Sequence, residues 1–209
     1  FGMLISVAVF DKNSGYISLI RGCYYLPVIV STVVMSMVWK FLLNPANGLV
    51  NYLLKKAGVG GGNLLGNPDT VLWVIAFVTV VASVGQAIIM YVASMGGISG
   101  DILEAAKVDG ASKFQRTFHI IMPLTKPTTL YLSVTSVISM LKLFVIIQLL
   151  TDGGPNNSSM TMMYYLYRNA FSYDKKNIAA AVGVMMFILA VIMAIPQFRS
   201  MSGNGGKKK

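Results

Sequence analysis

Charged residues make up 11% of the 209-residue chain, yet LEAAKVDGASKFQRTFHIIMPLTKP, Leu103 to Pro127, gathers two acids, four bases and His119, the one histidine present. Carboxylates, amines and an imidazole are the materials of acid–base catalysis, but this spacing sets no nucleophile beside a base and no carboxylate pair at membrane depth. Metal chemistry lacks ligands as well. Cys23 is the sole cysteine, so there is no internal disulfide and no cysteine cluster, and the fourteen methionines are scattered as packing residues rather than grouped. The GVGGGN run, Gly58–Asn63, lacks the Lys-Ser/Thr ending of a phosphate-binding loop. We therefore assign no catalytic and no metal residues, no cofactor bound by the chain, and no nucleic-acid site.

The same stretch reads instead as two short helices joined by a sharp turn. Ser99 is placed to cap the first, Asp101 and Glu104 lie in its first turns and Lys107 near its end, as the helix dipole favours, and Gly110 supplies a left-handed stop. Ser112 with Gln115 three residues on forms a capping box for the second, whose Phe114, Phe118 and Ile121 recur at i, i+4 and i+7. Pro123 and Pro127 are expected to end it. Such an apolar stripe outside the bilayer needs a cover, either lipid headgroups or the groove of a soluble partner. Ala105 and Ala106 leave a shallow surface between Glu104 and Asp109, which suits a protein better than lipid.

The elements that must hold this hairpin are apolar. The chain is 55% hydrophobic with a formal net charge of +10, the composition of a membrane protein. Val71–Ala93 has no charge in 23 residues, about 34 Å of helix against a hydrocarbon core of about 30 Å. Ile178–Ile195 is a second such run, Thr128–Leu150 a third with only Lys142 charged, and Ile17–Leu43 a fourth with Arg21 and Lys40 near its ends. We expect an all-α polytopic membrane protein, a single transmembrane domain over residues 1–209 with residues 95–127 as a loop within it. Phe1–Phe10 is apolar but too short to span, and we read it as the end of a helix that begins upstream in a longer protein.

Alternating the loops between two sides puts Lys12, Arg21, Lys107, Lys113, Arg116, Lys126, Arg199 and Lys207–Lys209 on one, and Lys55, Lys56, Arg168, Lys175 and Lys176 on the other. The more basic side is cytoplasmic by the positive-inside rule, so the hairpin is expected in the cytoplasm and the chain in a bacterial cytoplasmic membrane, its surplus charge facing anionic lipid. Along the spans, Thr79, Ser83 and Gln86 share one helix face, Ser133, Ser136 and Met140 another, and Thr32 and Ser36 lie one turn apart. Each face is either a route for a hydrogen-bonding solute or ordinary packing by small residues. Lys142 would cost roughly 2.5–3.5 kcal/mol on a lipid-facing helix centre; it is expected to face a pathway, where it would suit an anionic solute, or a partner subunit.

Glu104-Ala105-Ala106, three residues, Gly110, nine residues, Ile120, one residue and Met122-Pro123 resemble the EAA signature of permease subunits of binding-protein-dependent ABC importers. EAAKVDGASKFQRTFHIIMP is similar to its carbohydrate branch, as are Arg21–Pro45 and Phe144–Phe171, although TDGGP departs from the commoner TGGGP at Asp152. The resemblance implies a type I permease bundle of six helices, of which the first and part of the second are absent here. It also implies a second homologous permease, two cytoplasmic ATPase subunits carrying ATP and Mg, an extracytoplasmic solute-binding protein and a sugar substrate moved by alternating access. By this similarity Glu104, Ala105, Ala106, Asp109, Gly110, Phe114, Phe118 and Pro123 form the coupling element that fits the ATPase cleft, with Glu104 meeting a basic residue there. Sugar-contacting positions fall at Thr32, Thr79, Ser83, Gln86, Ser136 and Met140, the last without the expected polar group. The competing readings are a self-sufficient channel or secondary transporter, which needs no EAA element, and an integral-membrane enzyme, for which the reacting groups are missing.

Overall fold

The computed structural model describes residues 2–10, 22, 26–58 and 62–205, and the regular elements among them are all helical. In chain order they are α1 (Gly2–Phe10), α2 (Thr32–Leu42), α3 (Leu49–Lys56), α4 (Pro68–Gly96), α5 (Gly100–Val108), α6 (Lys113–Arg116), α7 (Lys126–Leu141), α8 (Val145–Leu150), α9 (Met162–Tyr167) and α10 (Lys176–Gly205). After α6 the chain continues through a π-helical segment, Thr117–Ile121, into Met122–Leu124, and a second π-helical segment, Arg168–Ser172, follows α9.

Two of the four expected spans are single helices. α4 holds the run from Val71, and Lys176–Ile195 of α10 holds the run from Ile178; only 22% and 11% of their most apolar windows are buried. Helices so apolar and so bare are not the core of a water-soluble domain.

The other two runs are corrected by the structure. Ile17–Leu43 falls partly outside the described residues, and its described part is non-helical at Val30 and Ser31, where Ser31 Oγ accepts the Val33 N–H (3.3 Å) and starts α2. Thr128–Leu150 is broken at Lys142–Phe144 into α7 and α8. The break is held from both sides. Thr161 Oγ1 donates to the Leu143 carbonyl at 2.6 Å, satisfying an acceptor that apolar surroundings would otherwise leave bare. The Phe144 ring lies 5.9 Å from Tyr164 and 4.7 Å from Tyr167. Apolar content alone did not reveal this, because a hydrophobic run carries no mark of where its helix stops.

The chain falls into two compact units, one drawn from Phe1–Val28, Ser83–Val137 and Met193–Lys209, the other from Ile29–Ala82 and Ile138–Ile192. The second has a core of Leu43, Val71, Ile75, Val78, Ile146, Ile147, Leu150 and Tyr164, with Trp39 edge-on to Phe77 at 5.5 Å. Its loop after α8 is tied by hydroxyls: Thr151 to Ser159 at 2.8 Å, Ser159 to the Gly154 carbonyl at 2.6 Å and Ser158 to the Pro155 carbonyl at 2.6 Å. Asp152 takes a left-handed φ of 52° and accepts the Tyr164 phenol, which burial and then that carboxylate push up to about 12. Gly153 (φ 81°) must lack a side chain, since a Cβ would sit 2.9 Å from the Tyr164 ring. The first unit centres on Tyr91, Met95 and Ile121, with Met3, Val7, Ile98, Leu103 and Leu132 against them.

Asn51, 2% exposed, is the polar pin of the second unit. Its amide donates to the carbonyls of Leu43 (3.3 Å) and Asn44 (3.0 Å), and its oxygen accepts the Gly62 N–H (3.2 Å). Asn51→Ala is expected to lower stability by about 1–3 kcal/mol through these stranded groups, read as a lower unfolding midpoint in detergent; an unchanged midpoint would remove Asn51 from that role.

Candidate functional site

The hairpin is built as its residues require. Ser112 Oγ accepts the Gln115 N–H (3.3 Å) and Gln115 Oε1 accepts the Ser112 N–H (2.8 Å), a complete capping box. At the turn Gly110 has φ 75°, its N–H donates to Lys107 O (3.1 Å), and the Ala111 N–H reaches back to Ala106 O (3.0 Å). This pairing closes a helix by satisfying two of its last carbonyls.

Four details differ from expectation. Ser99 stands at the N-cap of α5, but its Oγ accepts no backbone N–H of that helix; the hydroxyl is turned to the Asp101 carboxylate, to which it donates (3.3 Å). Pro123 does not end the second arm. A proline lacks the N–H that the preceding turn would use, and here the turn widens: Met122 N–H donates to Thr117 O, five residues back, and helix continues to Leu124. The widened turn also divides the apolar stripe. Phe114 and Phe118 stay outside, 70% and 42% exposed with ring centroids 4.3 Å apart, while Ile121 turns into the core of its unit at 8%. Finally Ala106 is buried at 8%, packed and not displayed, whereas Glu104, Ala105 and Asp109 are exposed.

The outer face of the hairpin is therefore acidic and aromatic, with Val108 87% exposed beside it. His119 is exposed, and its Nδ1 lies 3.1 Å from the Gln115 carbonyl; a carbonyl only accepts, so that nitrogen carries a proton.

Of the expected pathway residues, Ser83, Gln86 and Ser136 belong to the first unit and are exposed. Thr32, Thr79, Met140 and Lys142 belong to the second, Thr79 half-buried and the others exposed, with Lys142 on the helix break. Thr79 Oγ1 donates to Ile75 O (2.8 Å), and buried Ser36 donates to Thr32 O (2.7 Å). A hydroxyl whose proton is spent on its own helix offers a passing solute only its lone pairs.

Periodicity missed one group of contacts. Tyr91 Oη donates to Thr129 Oγ1 (3.1 Å) and Thr128 Oγ1 to Ser94 Oγ (2.9 Å). The residues are visible as hydroxyls near the ends of two runs, but pairing across more than thirty residues leaves no periodic trace.

Two long apolar helices bare enough to face lipid, with a capped hairpin between α4 and α7 that exposes an acidic and aromatic face, define a helical membrane protein. Residues 2–198 match the family described as binding-protein-dependent transport system inner membrane component, and the chain belongs to that family. It is a family of transport components rather than enzymes. The chain is 31% identical over 203 residues to the probable ABC transporter permease protein YurN of Bacillus subtilis, covering 95% of this chain and 70% of that protein. It is 29% identical over 180 residues to the sn-glycerol-3-phosphate transport system permease protein UgpA of Escherichia coli, covering 86% of this chain and 61% of that protein. The fold is similar to a chain of a bacterial ABC transporter involved in the import of the acidic polysaccharide alginate, with TM-score 0.87 and 25% identity over 99% of this chain and 72% of the other. It is similar also to a chain of the alginate transporter in complex with an alginate pentasaccharide-bound periplasmic protein, with TM-score 0.85 and 25% identity over 94% and 69%.

Gly110→Ala isolates the turn. A Cβ there meets nothing within 4 Å, so the expected loss of about 1–2 kcal/mol comes from the left-handed backbone alone. Hydrogen exchange of the Ala106–Ser112 amides should quicken; protection equal to that of the parent would show that the turn does not need glycine.

Proposed function

We propose that this chain is the transmembrane subunit of an ATP-driven, binding-protein-dependent importer that moves a sugar or oligosaccharide across a bacterial cytoplasmic membrane by alternating access. The observation that carries the reading is the hairpin: a capped, turn-locked pair of helices whose outer face shows Glu104, Asp109, Phe114 and Phe118 to an external partner. That face fits the cleft of an ATPase subunit, which supplies ATP and Mg, while the chain itself binds no cofactor. The working assembly on this reading adds a second, homologous permease, two cytoplasmic ATPases and an extracytoplasmic solute-binding protein. The periplasmic protein bound to the alginate transporter supports the last of these.

Glu104 is the group that meets a base on the ATPase, Ala105 permits close approach, and Ala106 and Gly110 hold the shape. Pro123 sets the widened turn that keeps Phe118 outward. The solute would follow Thr32, Thr79, Ser83, Gln86 and Ser136, exchanging hydrogen bonds with hydroxyls and one amide; Met140 offers only apolar contact. Lys142, exposed at a break in an apolar run, adds the positive charge an acidic saccharide would meet. The similar proteins named for transport of sn-glycerol-3-phosphate and for import of the acidic polysaccharide alginate, both anionic, support that detail, and the second supports the substrate class.

Two variants separate drive from route. Reversing a charge in a packed interface costs on the order of tenfold or more, and Glu104→Lys is expected to reduce ATP-driven uptake on that scale while the chain still inserts in the membrane. Parent-level uptake would refute the coupling role. Gln86→Leu is expected to alter uptake kinetics with ATP hydrolysis undiminished; identical kinetics would take Gln86 off the route. Uptake by the chain reconstituted without ATPases would favour a self-sufficient transporter instead.

A further inference from the structure

Between α4 and α5 the chain leaves helix at residues 97–99, and between Leu124 and α7 it leaves helix at Thr125. A push on the hairpin meets these two interruptions before it reaches a span. At Thr125 the backbone ladder carries on, Thr125 N–H donating to Ile121 O (2.9 Å) and Thr129 N–H to Thr125 O (3.0 Å); residues 97–99 lack such a ladder and without a second connection would absorb the displacement.

The first unit contains such a connection. Tyr91 and Ser94 on the last turns of α4 bond to Thr129 and Thr128 on the first turn of α7, at 3.1 and 2.9 Å. Thr129 Oγ1 donates a hydrogen bond to the Thr125 carbonyl (3.1 Å), and Thr125 Oγ1, fully buried, donates to the Ile121 carbonyl (2.8 Å). The series therefore runs from one span, across to the other, over the interruption at Thr125 and into the second arm of the hairpin. Apolar contacts follow the same course. Tyr91, Met95 and Ile121 form one buried cluster, with Leu103 of the first arm and Leu132 of α7 against it.

We propose that Tyr91, Ser94, Thr128 and Thr129 are positioning residues for transport: a hydroxyl clamp that makes the hairpin and the adjoining ends of both spans one rigid lever. This rests on the importer reading above. The hydroxyls touch neither solute nor nucleotide; they decide how much of the movement imposed on the hairpin arrives in the helices.

The readout is solute imported per ATP hydrolysed by the complete importer in proteoliposomes, a ratio that general destabilisation leaves unchanged. Tyr91→Phe combined with Thr128→Val deletes both bridges at nearly constant volume. The ratio is expected to fall about fivefold or more, the population change that one net hydrogen bond is worth, with Thr128→Ser retaining the parent ratio. A parent ratio in the double variant overturns the clamp. Should that variant fail to assemble, Ser94→Cys with Thr128→Cys decides the matter, the two oxygens being 2.9 Å apart. Oxidation to a tether should leave uptake intact, because a rigid body is not hindered by fastening two of its parts, and blocked uptake would show that the helices move against each other there. Uptake that needs no ATPase would defeat the importer reading by itself, and the tether would still report whether these two helix ends move together.

Discussion

A backbone carbonyl in hydrocarbon has no water to accept from, and the fold is arranged around that constraint. Uninterrupted helix is the simplest solution, and α4 uses it over 29 residues. Where helix stops within an apolar run, a side chain or a wider turn takes over: Thr161 at the Leu143 carbonyl, Ser31 at the start of α2, and a bond to the fifth residue back at Met122 ahead of Pro123. These three irregular places each have a named hydrogen-bonding partner, so they read as built features and not as frayed ends. Intramembrane breaks of this kind are tolerated where protein or a cavity surrounds them, which fits the aromatic packing around Phe144.

The hairpin obeys a different constraint because both its arms leave the apolar runs. Leu103 and Ile121 go inward and join the cluster at the ends of α4 and α7; Glu104, Phe114 and Phe118 go outward. The π-helical segment produces this division. Three apolar residues at ordinary helical spacing would all face one way, leaving the second arm either loose or fully withdrawn. One widened turn after Phe114 sends the third residue to the core and keeps the first two on the surface. Pro123 stands just beyond this segment, and having no N–H it cannot make the i−4 bond to the His119 carbonyl that a regular helix would place there.

Most of the local structure could be read directly. The capping box at Ser112, the stop at Gly110 and the long helices α4 and α10 are signalled by residues adjacent in sequence, and local hydrogen bonding leaves local marks. The misreadings have a common character. Ser99 has the residue type of a cap but turns its hydroxyl to the Asp101 carboxylate; Pro123 has the residue type of a stop but follows a turn that widens; Thr128–Leu150 has the composition of one helix but Thr161, eighteen residues from Leu143, stabilises a break. Ala106 and Ile121 looked available because burial by a neighbouring element cannot be seen along a single strand of text. In each case a contact distant in sequence, or a rival at close range, outweighed the local preference.

Capping residues and Gly110 mark the hairpin in the sequence, but not the means by which it is joined to the helices on either side. That junction rests on four hydroxyl-bearing residues of common type, Tyr91, Ser94, Thr128 and Thr129, which no spacing distinguishes from ordinary packing. Their consequence follows from α4 itself. Gln86 and Ser83 stand eight and eleven residues before Ser94 on the same unbroken helix, about 12 and 16 Å along its axis. Displacement entering at the Ser94 end has no joint at which to dissipate before it reaches the polar face that carries Gln86. α7 is stiff for a comparable length and then ends before Lys142, so two helices clamped at the hairpin are unlike farther on: one carries motion through, the other stops at a break. A difference in compliance between two helices driven from one end converts a common push into relative movement, which is the requirement for opening one side of a pathway while closing the other.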